Sequence, residues 1–326
     1  MKIAIAGAGV TGAYLYQRIK NQGHEIAIFD LDPKTRCGLS PCAWGTSRGF
    51  AELVRASGFD PEKYTLGRFN YVVMDDLRVP ADLLTCDKPA LLRDWLQGAK
   101  IQYAPLDPAR YDRIIDATGV ARAFLPAIQD DLVLPCFQAR LGTQSERENR
   151  VRLRSIGYAW CFPLGPQEYH VGCGSLIADP QKIMRELNWI GTPPHRPSSK
   201  IICTCRGKVR ITAPEFSQPF YRPNGKGGVW GVGEAIGCVA PLAGDGIVPG
   251  MKSVELLLEW WDDPEAYTQA ILKEFHWMSR ERKVLDKIRR NESLGLADAW
   301  VLRKNSRRMG MQIGVRDALR LLKKLR

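Results

Sequence analysis

Three glycines at fixed spacing are the first residues in this chain that could do chemistry. Gly7, Gly9 and Gly12 lie in the run Gly7-Ala8-Gly9-Val10-Thr11-Gly12, between an apolar, β-rich stretch and a helical pattern. In such a GxGxxG turn the first glycine allows a tight bend and the second admits a pyrophosphate to the backbone. The third lets helix and strand pack closely, so that the helix N-terminus faces the anion. Asp30 ends the next strand-like run, where a carboxylate can accept hydrogen bonds from an adenosine ribose. Gly7, Gly9, Val10, Thr11, Gly12 and Asp30 are therefore the candidate nucleotide-binding set. The alternative is a glycine turn that merely packs the sheet.

NAD and FAD both use this turn, and two later segments bear on the choice. Residues 114–119 end a strand in a small-residue turn that offers Thr118 and Gly119. Further on, Gly233 and Glu234 put an acid at a strand end, where it could hold a ribityl hydroxyl. Gly244, Asp245, Gly246 and Ile247 then open a helix. Such a helix N-terminus can stabilise negative charge on a phosphate or on a reduced flavin ring.

A β-α-β unit must position the first set. Residues 2–6 read as a strand and 25–30 as a second strand. Between them, Val10, Ala13, Tyr14 and Ile19 share a helical face that Gly23 stops. Residues 88–97 read as a helix and 112–117 as another buried strand. From about 132 to 211, short strand-like runs (137–141, 158–162, 169–172 and 201–204) alternate with Gly and Pro, the pattern of an inserted antiparallel sheet. A strand returns at 229–233 and a helix at 248–261, and the remainder is helical and charged. The expected fold class is mixed α/β (α+β mixed). A discontinuous Rossmann-type FAD-binding domain (1–131 and 222–262) carries an antiparallel substrate domain (132–221) and a helical basic C-terminal region (263–326).

Four segments together resemble the geranylgeranyl reductase family, FAD-dependent oxidoreductases of the p-hydroxybenzoate hydroxylase-like flavoprotein fold. The first is the glycine fingerprint. The second, Pro41-Cys42-Ala43-Trp44-Gly45, is similar to the family's Pro-Cys-Gly loop, which reaches the flavin. The third, Tyr158-Ala159-Trp160-Cys161-Phe162-Pro163-Leu164-Gly165, is similar to its YxWxFPxG signature. The fourth, Gly233-Glu234-Ala235 through Ile247, is similar to GDAAGxxxPxxGxGI. The resemblance implies FAD as cofactor and reduction of C=C bonds in prenyl chains. It places Cys42 and Ala43 beside the flavin and Lys88 at the cofactor. Lys88 stands where the family commonly has Arg, and Glu234 where it usually has Asp. The electron donor, NAD(P)H or a ferredoxin-type protein, is left open.

Reducing an isolated alkene requires a hydride at one carbon, a proton at the other, and the exclusion of water. Tyr158, Trp160 and Phe162 alternate along one strand and share a face. With Pro163 they are the candidate wall of an apolar tunnel, the alternative being core aromatics. Cys42 is the candidate catalytic group, as a proton donor, gate or redox switch. Its alternative is a loop residue kept for its size. Two rival readings keep the fold: an aromatic hydroxylase or halogenase, in which reduced flavin meets oxygen, and a non-catalytic prenyl-binding protein.

Composition narrows the field. The 326 residues are 45% hydrophobic and 25% charged, which is ordinary for a globular protein, and no apolar run approaches the roughly 18 residues of a membrane span. Nine cysteines form no CxxC pair and four histidines show no ligand spacing, so no metal site is expected. With no signal-like N-terminus, a cytoplasmic protein is expected. Residues 280–326 hold fifteen Lys/Arg against five Asp/Glu, ten of the net +12 charge. There Met311, Val315, Ala318, Leu319, Leu322 and Leu325 share a helical face. Such a helix could lie on an anionic membrane or pack on the body with its charged side solvated. The expected partner is a hydrophobic small molecule or lipid. No nucleic acid is expected, and the oligomeric state is left open.

Overall fold

The computed structural model describes residues 1–31, 42–142, 148–154, 156–190 and 200–325. The chain opens with β1 (Lys2–Ala6), α1 (Val10–Ile19) and β2 (Glu25–Phe29). Next come β3 (Gly45–Thr46), α2 (Phe50–Ala56), the hairpin β4 (Thr65–Met74) and β5 (Leu77–Cys86), α3 (Lys88–Trp95), β6 (Ile101–Gln102) and β7 (Arg113–Asp116). The middle of the chain forms β8 (Val133–Gly142), β9 (Arg150–Leu153), β10 (Gly157–Pro163), β11 (Glu168–Ser175), α4 (Pro180–Glu186) and β12 (Lys200–Arg210). After β13 (Tyr221–Arg222) and β14 (Val229–Gly231) come α5 (Ile247–Glu259), α6 (Pro264–Glu274), α7 (His276–Arg289), α8 (Leu296–Arg308) and α9 (Val315–Lys324).

Among the described residues these strands form two sheets. The first runs β13-β14-β7-β1-β2-β6 and is parallel except at its β13 edge. β1 sits inside it, with Ile3, Ala4 and Ile5 wholly buried, which is why its sequence is continuously apolar. Two glycines close the turn after it. Gly7 has φ +104°, and a Cβ there would lie 2.3 Å from the Ala117 carbonyl oxygen. A Cβ on Gly12 would lie 1.9 Å from the Gly7 oxygen, so α1 can approach β1 only because that atom is missing.

The second sheet runs β12-β8-β11-β10-β9-β4-β5-β3 and is antiparallel except where β4 meets β9. Four of its strands cover the expected runs between 132 and 211. Residues 45–86, which the sequence boundaries put with the nucleotide domain, supply three more. Their pattern is hard to read because β4 is mostly half-exposed, with Val72 its one deeply buried residue. Asp75, in the left-handed region at φ +55°, turns β4 into β5.

The last third is helical, as expected. α9 turns Ala318, Leu321 and Leu322 into the protein's own core, while Arg320 and Lys324 pair with Asp76 on the β4–β5 turn. No helix among the described residues is long and apolar enough to cross a membrane.

The two glycines of the turn make a comparison. Gly12→Ala is expected to lower the unfolding free energy by about 1–3 kcal/mol through overpacking. A Cβ at Gly9 meets nothing within 4 Å, and Gly9→Ala is expected to cost less than about 1 kcal/mol as an altered helix cap. Urea unfolding of both variants checks the order.

Candidate functional site

The strands of the first sheet end level with one another. Ala6 is in register with Phe29 on one side and Asp116 on the other, and Asp116 with Gly231. Four turns therefore leave the same sheet edge together, the edge at which ligands of such sheets bind. The Asp30 carboxylate sits over the glycine turn and accepts from the Ala8 amide at 2.9 Å and the Leu31 amide at 2.7 Å. Thr11 reaches the opposite turn, since a Cβ on Gly233 would lie 2.5 Å from its hydroxyl and one on Gly250 2.6 Å. The space beside Gly9 is open.

The turn after β7 is held by Asp116, which is fully buried. It accepts from the Thr118 hydroxyl at 2.6 Å, and from the amides of Thr118 and Phe124 at 3.1 and 2.8 Å. Thr118 thus shapes its own loop. Glu234 faces Gly119 and accepts from the Arg210 amide at 2.7 Å. Burial pushes its carboxyl up, against that hydrogen bond. Lys88 begins α3, which Asp87 caps by accepting from the Ala90 amide at 3.0 Å. Its charge acts on Cys86, His170 and Glu234, so it belongs to the same space.

Sequence reasoning passed over two buried arginines that hold these turns. Arg210 grips Asp131 with two contacts of 2.9 Å and donates to the carbonyls of Gly119, Val120 and Glu234 at 2.8–3.0 Å. Arg122 donates to the carbonyls of Pro126, Ala235 and Pro219, and burial pushes it down to about 10. An arginine at a strand end and one in a loop carry no local sequence signal of such a role.

The second sheet clamps the remaining segments. The Tyr158 hydroxyl donates to the Ala243 carbonyl, and a Cβ on Gly244 (φ +65°) would lie 2.4 Å from that hydroxyl. Asp245 accepts from the Ser47 hydroxyl at 2.9 Å and the Ile247 amide at 3.0 Å. Burial pushes its carboxyl up, against those bonds and one from the Val248 amide. Gly246 and Ile247 lead directly into α5. The Ala43 carbonyl faces His170 Nδ1 at 3.2 Å, and Trp44 packs edge-on against that ring. Burial takes His170 down to about 4, so the ring is neutral. Cys42 is half-buried against the core of the first sheet; Pro41 lies outside the described residues.

Beside the Gly244 turn lies an apolar chamber of about 140 Å³. Phe69, Val72, Met74 and Leu83 line it from β4 and β5, and Tyr158 and Phe162 from β10. Leu302, Met309, Met311 and Ile313 close it from the C-terminal region, and Leu242, Asp245 and Glu281 complete the wall beside the turn. Trp160 and Pro163 are not on this wall. The Trp160 ring lies 5.8 Å from that of Tyr158 and covers Gly172, and its buried Nε1–H has no partner among the described residues. Pro163 accepts from the Thr85 hydroxyl at 2.8 Å. Cys42 is not on the wall either. Among the described residues no three His, Cys, Asp or Glu side chains converge as metal ligands.

A geranylgeranyl bacteriochlorophyll reductase-like protein from Thermoplasma acidophilum superposes with a TM-score of 0.65 at 16% identity, over 99% of this chain and 95% of that one. The fold is the p-hydroxybenzoate hydroxylase-like fold of FAD-binding oxidoreductases. A flavin-dependent halogenase from Xanthomonas campestris also gives 0.65, at 10% identity over 99% and 94% of the two chains. The p-nitrophenol 4-monooxygenase of Pseudomonas putida gives 0.62, at 12% identity over 99% and 97%. In sequence, an uncharacterized protein of Methanocaldococcus jannaschii is 21% identical over 347 residues, 87% of this chain and 91% of the relative. No family model matches the chain.

Arg210 tests whether the turns depend on one side chain. Arg210→Met removes the guanidinium from three carbonyls and the cationic partner from Asp131, which keeps the Thr212 hydroxyl, and is expected to cost about 3–5 kcal/mol, read as a lower urea midpoint.

Proposed function

We propose that this protein is an FAD-dependent oxidoreductase that reduces C=C bonds of a prenyl chain or a related apolar substrate. The observation that carries this reading is the shared wall: Tyr158, Ala243 and Asp245 bound the apolar chamber and also build the glycine turn before α5. The residues present fit FAD. The open side of Gly9, the N-terminus of α1 and Lys88 suit a pyrophosphate, and Asp30 suits the adenosine ribose. Glu234 and Gly119 suit the ribityl chain, while Gly244, Asp245, Gly246 and Ile247 suit the flavin ring. FAD would supply the hydride; the protein has to bind, orient and keep water out.

The chamber favours an apolar substrate. Its wall is dominated by aliphatic, methionine and aromatic side chains, and burying an apolar chain there gains roughly 25 cal/mol per Å² removed from water. Phe162 stands at one end, its ring 2.9 Å from where a Gly45 Cβ would lie, so the 42–47 loop and β10 meet there. Cys42 acts in this reading as a seal on the cofactor side, since it is half-buried against the core of the first sheet and lies off the chamber wall. A membrane contact in this reading is electrostatic, because α9 already gives Ala318, Leu321 and Leu322 to the core. The second reading, oxygen-dependent hydroxylation or halogenation, rests on the equal structural likeness of the halogenase.

Purified protein is expected to be yellow and to release FAD on denaturation, with flavin lost in Gly9→Val. Anaerobic incubation of the dithionite-reduced protein with geranylgeraniol is expected to add two hydrogens per reduced bond by mass spectrometry. Stoichiometric FAD in Gly9→Val would refute the cofactor site, and oxygen-dependent hydroxylation without hydrogenation would favour the second reading.

Cys42→Ser is expected to speed the reaction of reduced flavin with oxygen while leaving its oxidation by substrate unchanged. Stopped-flow traces with and without substrate check this. A slower trace with substrate would make Cys42 a proton donor instead.

A further inference from the structure

The chamber wall holds an acid that neither the glycine motifs nor the aromatic strand predicts. Glu281 lies on α7, 2% exposed, among the side chains that line the chamber. From the segment before α5, the Leu242 amide donates to its Oε2 at 3.2 Å. From α8, Asn305, whose Nδ2 donates to the Trp277 carbonyl at 3.1 Å, lies close enough to favour the charged form of the acid. No described lining residue is cationic. Arg282, next on α7, is turned away to Asp286 and to the carbonyls of Thr212 and Asp130, and Lys287 is paired with Asp298. The other ionisable groups on the wall are Asp245, occupied by Ser47 and the start of α5, and Tyr158, occupied by Ala243.

A glutamine would accept the Leu242 amide equally well, so packing alone does not call for an acid here. A carboxylate facing apolar space without a cation is costly, whereas a neutral carboxyl is far less so. We propose that Glu281 is the acid of the chamber: it holds its proton beneath a bound apolar chain and gives that proton to the substrate. This rests on the reductase reading above. When a C=C bond is reduced, one carbon takes a hydride from the reduced cofactor. The π pair bonds the other carbon to the carboxyl proton as the O–H bond breaks. The substrate gains two electrons, the cofactor loses two, and the Glu281 carboxylate regains a proton from solvent after product leaves.

Burial pushes the Glu281 carboxyl up to about 7, against the Leu242 amide and Asn305, which favour the carboxylate. A chain that covers it removes the remaining water and raises it further. Apolar ligands should therefore bind with proton uptake near neutral pH.

The test is an infrared titration of the whole protein, wild type against Glu281→Gln, with and without farnesol. The expected result is a protonated-carboxyl band, absent from the variant, that is half lost near pH 7 and persists to higher pH with farnesol bound. Calorimetry in two buffers should show proton uptake on farnesol binding by wild type and none by Glu281→Gln. In single turnover the variant's reduced flavin should be reoxidised by substrate about 100-fold more slowly or worse, with reduction by dithionite unchanged. Absence of the band from wild type at pH 6, or a band that bound farnesol does not move, overturns the proposal. A colourless protein would instead refute the flavin reading, while the band and the uptake still decide Glu281. Failure of farnesol to bind overturns the ligand class together with the prenyl reading.

Discussion

The site depends on register in one parallel sheet. Because Ala6, Phe29, Asp116 and Gly231 end their strands at the same level, four loops from distant parts of the chain emerge side by side. Backbone hydrogen bonds continue this alignment past the strands: the Ala117 amide donates to Ala6, the Val232 amide to Asp116 and the Gly7 amide to Phe29. Slipping any strand by one residue would invert its side chains and bury the polar turn where the apolar core now lies. The close approach of α1, which needs Gly12 to be bare, gives its amides access to the same edge.

Polar turns this close to a core must have their backbone groups satisfied. Asp116, Arg210 and Arg122 do this from within, each spending its hydrogen-bonding capacity on loop amides or carbonyls. The carbonyls at 119, 120, 234 and 235 are met by guanidinium groups. This is the role expected of arginine, whose planar fork can serve several acceptors while staying charged. The cost of burying that charge is offset in Arg210 by its two-point pairing with Asp131.

The second sheet brings an apolar space to this polar edge. Tyr158 is the joint: its ring faces the chamber and its hydroxyl holds the Ala243 carbonyl. The C-terminal region supplies a further wall of the chamber. The Asp82 amide donates to the Gly310 carbonyl and the Gln312 amide to Pro80, which fastens the Met309–Ile313 stretch along β5 and places its side chains at the chamber. Most of the basic charge of this region stays outside, buried Arg282 excepted, while residues such as Leu321, Leu322 and Met311 serve the core and the chamber wall.

Local patterns in the sequence determined much of this protein. The glycine spacing, the apolar β1 and the acid at position 30 specify a β-α-β turn by themselves, because their constraint is steric and acts within thirty residues. The return strand before Gly233 and the helix after Gly246 were legible for the same reason, as was the alternation that puts Tyr158, Trp160 and Phe162 on one face. What alternation could not say is that the chamber takes Tyr158 and Phe162 while Trp160 covers Gly172, since that depends on which neighbour lies opposite. The role of residues 45–86 in the second sheet was hidden by their half-exposed strands, which lack a strong two-residue period. Only the tertiary structure could bring Arg210 to Gly119, the Met309–Ile313 segment to β5, and Glu281 to an apolar wall. Those pairings join residues scores of positions apart, and the energy of each comes from desolvation, which is a property of the folded surroundings and not of the residue type.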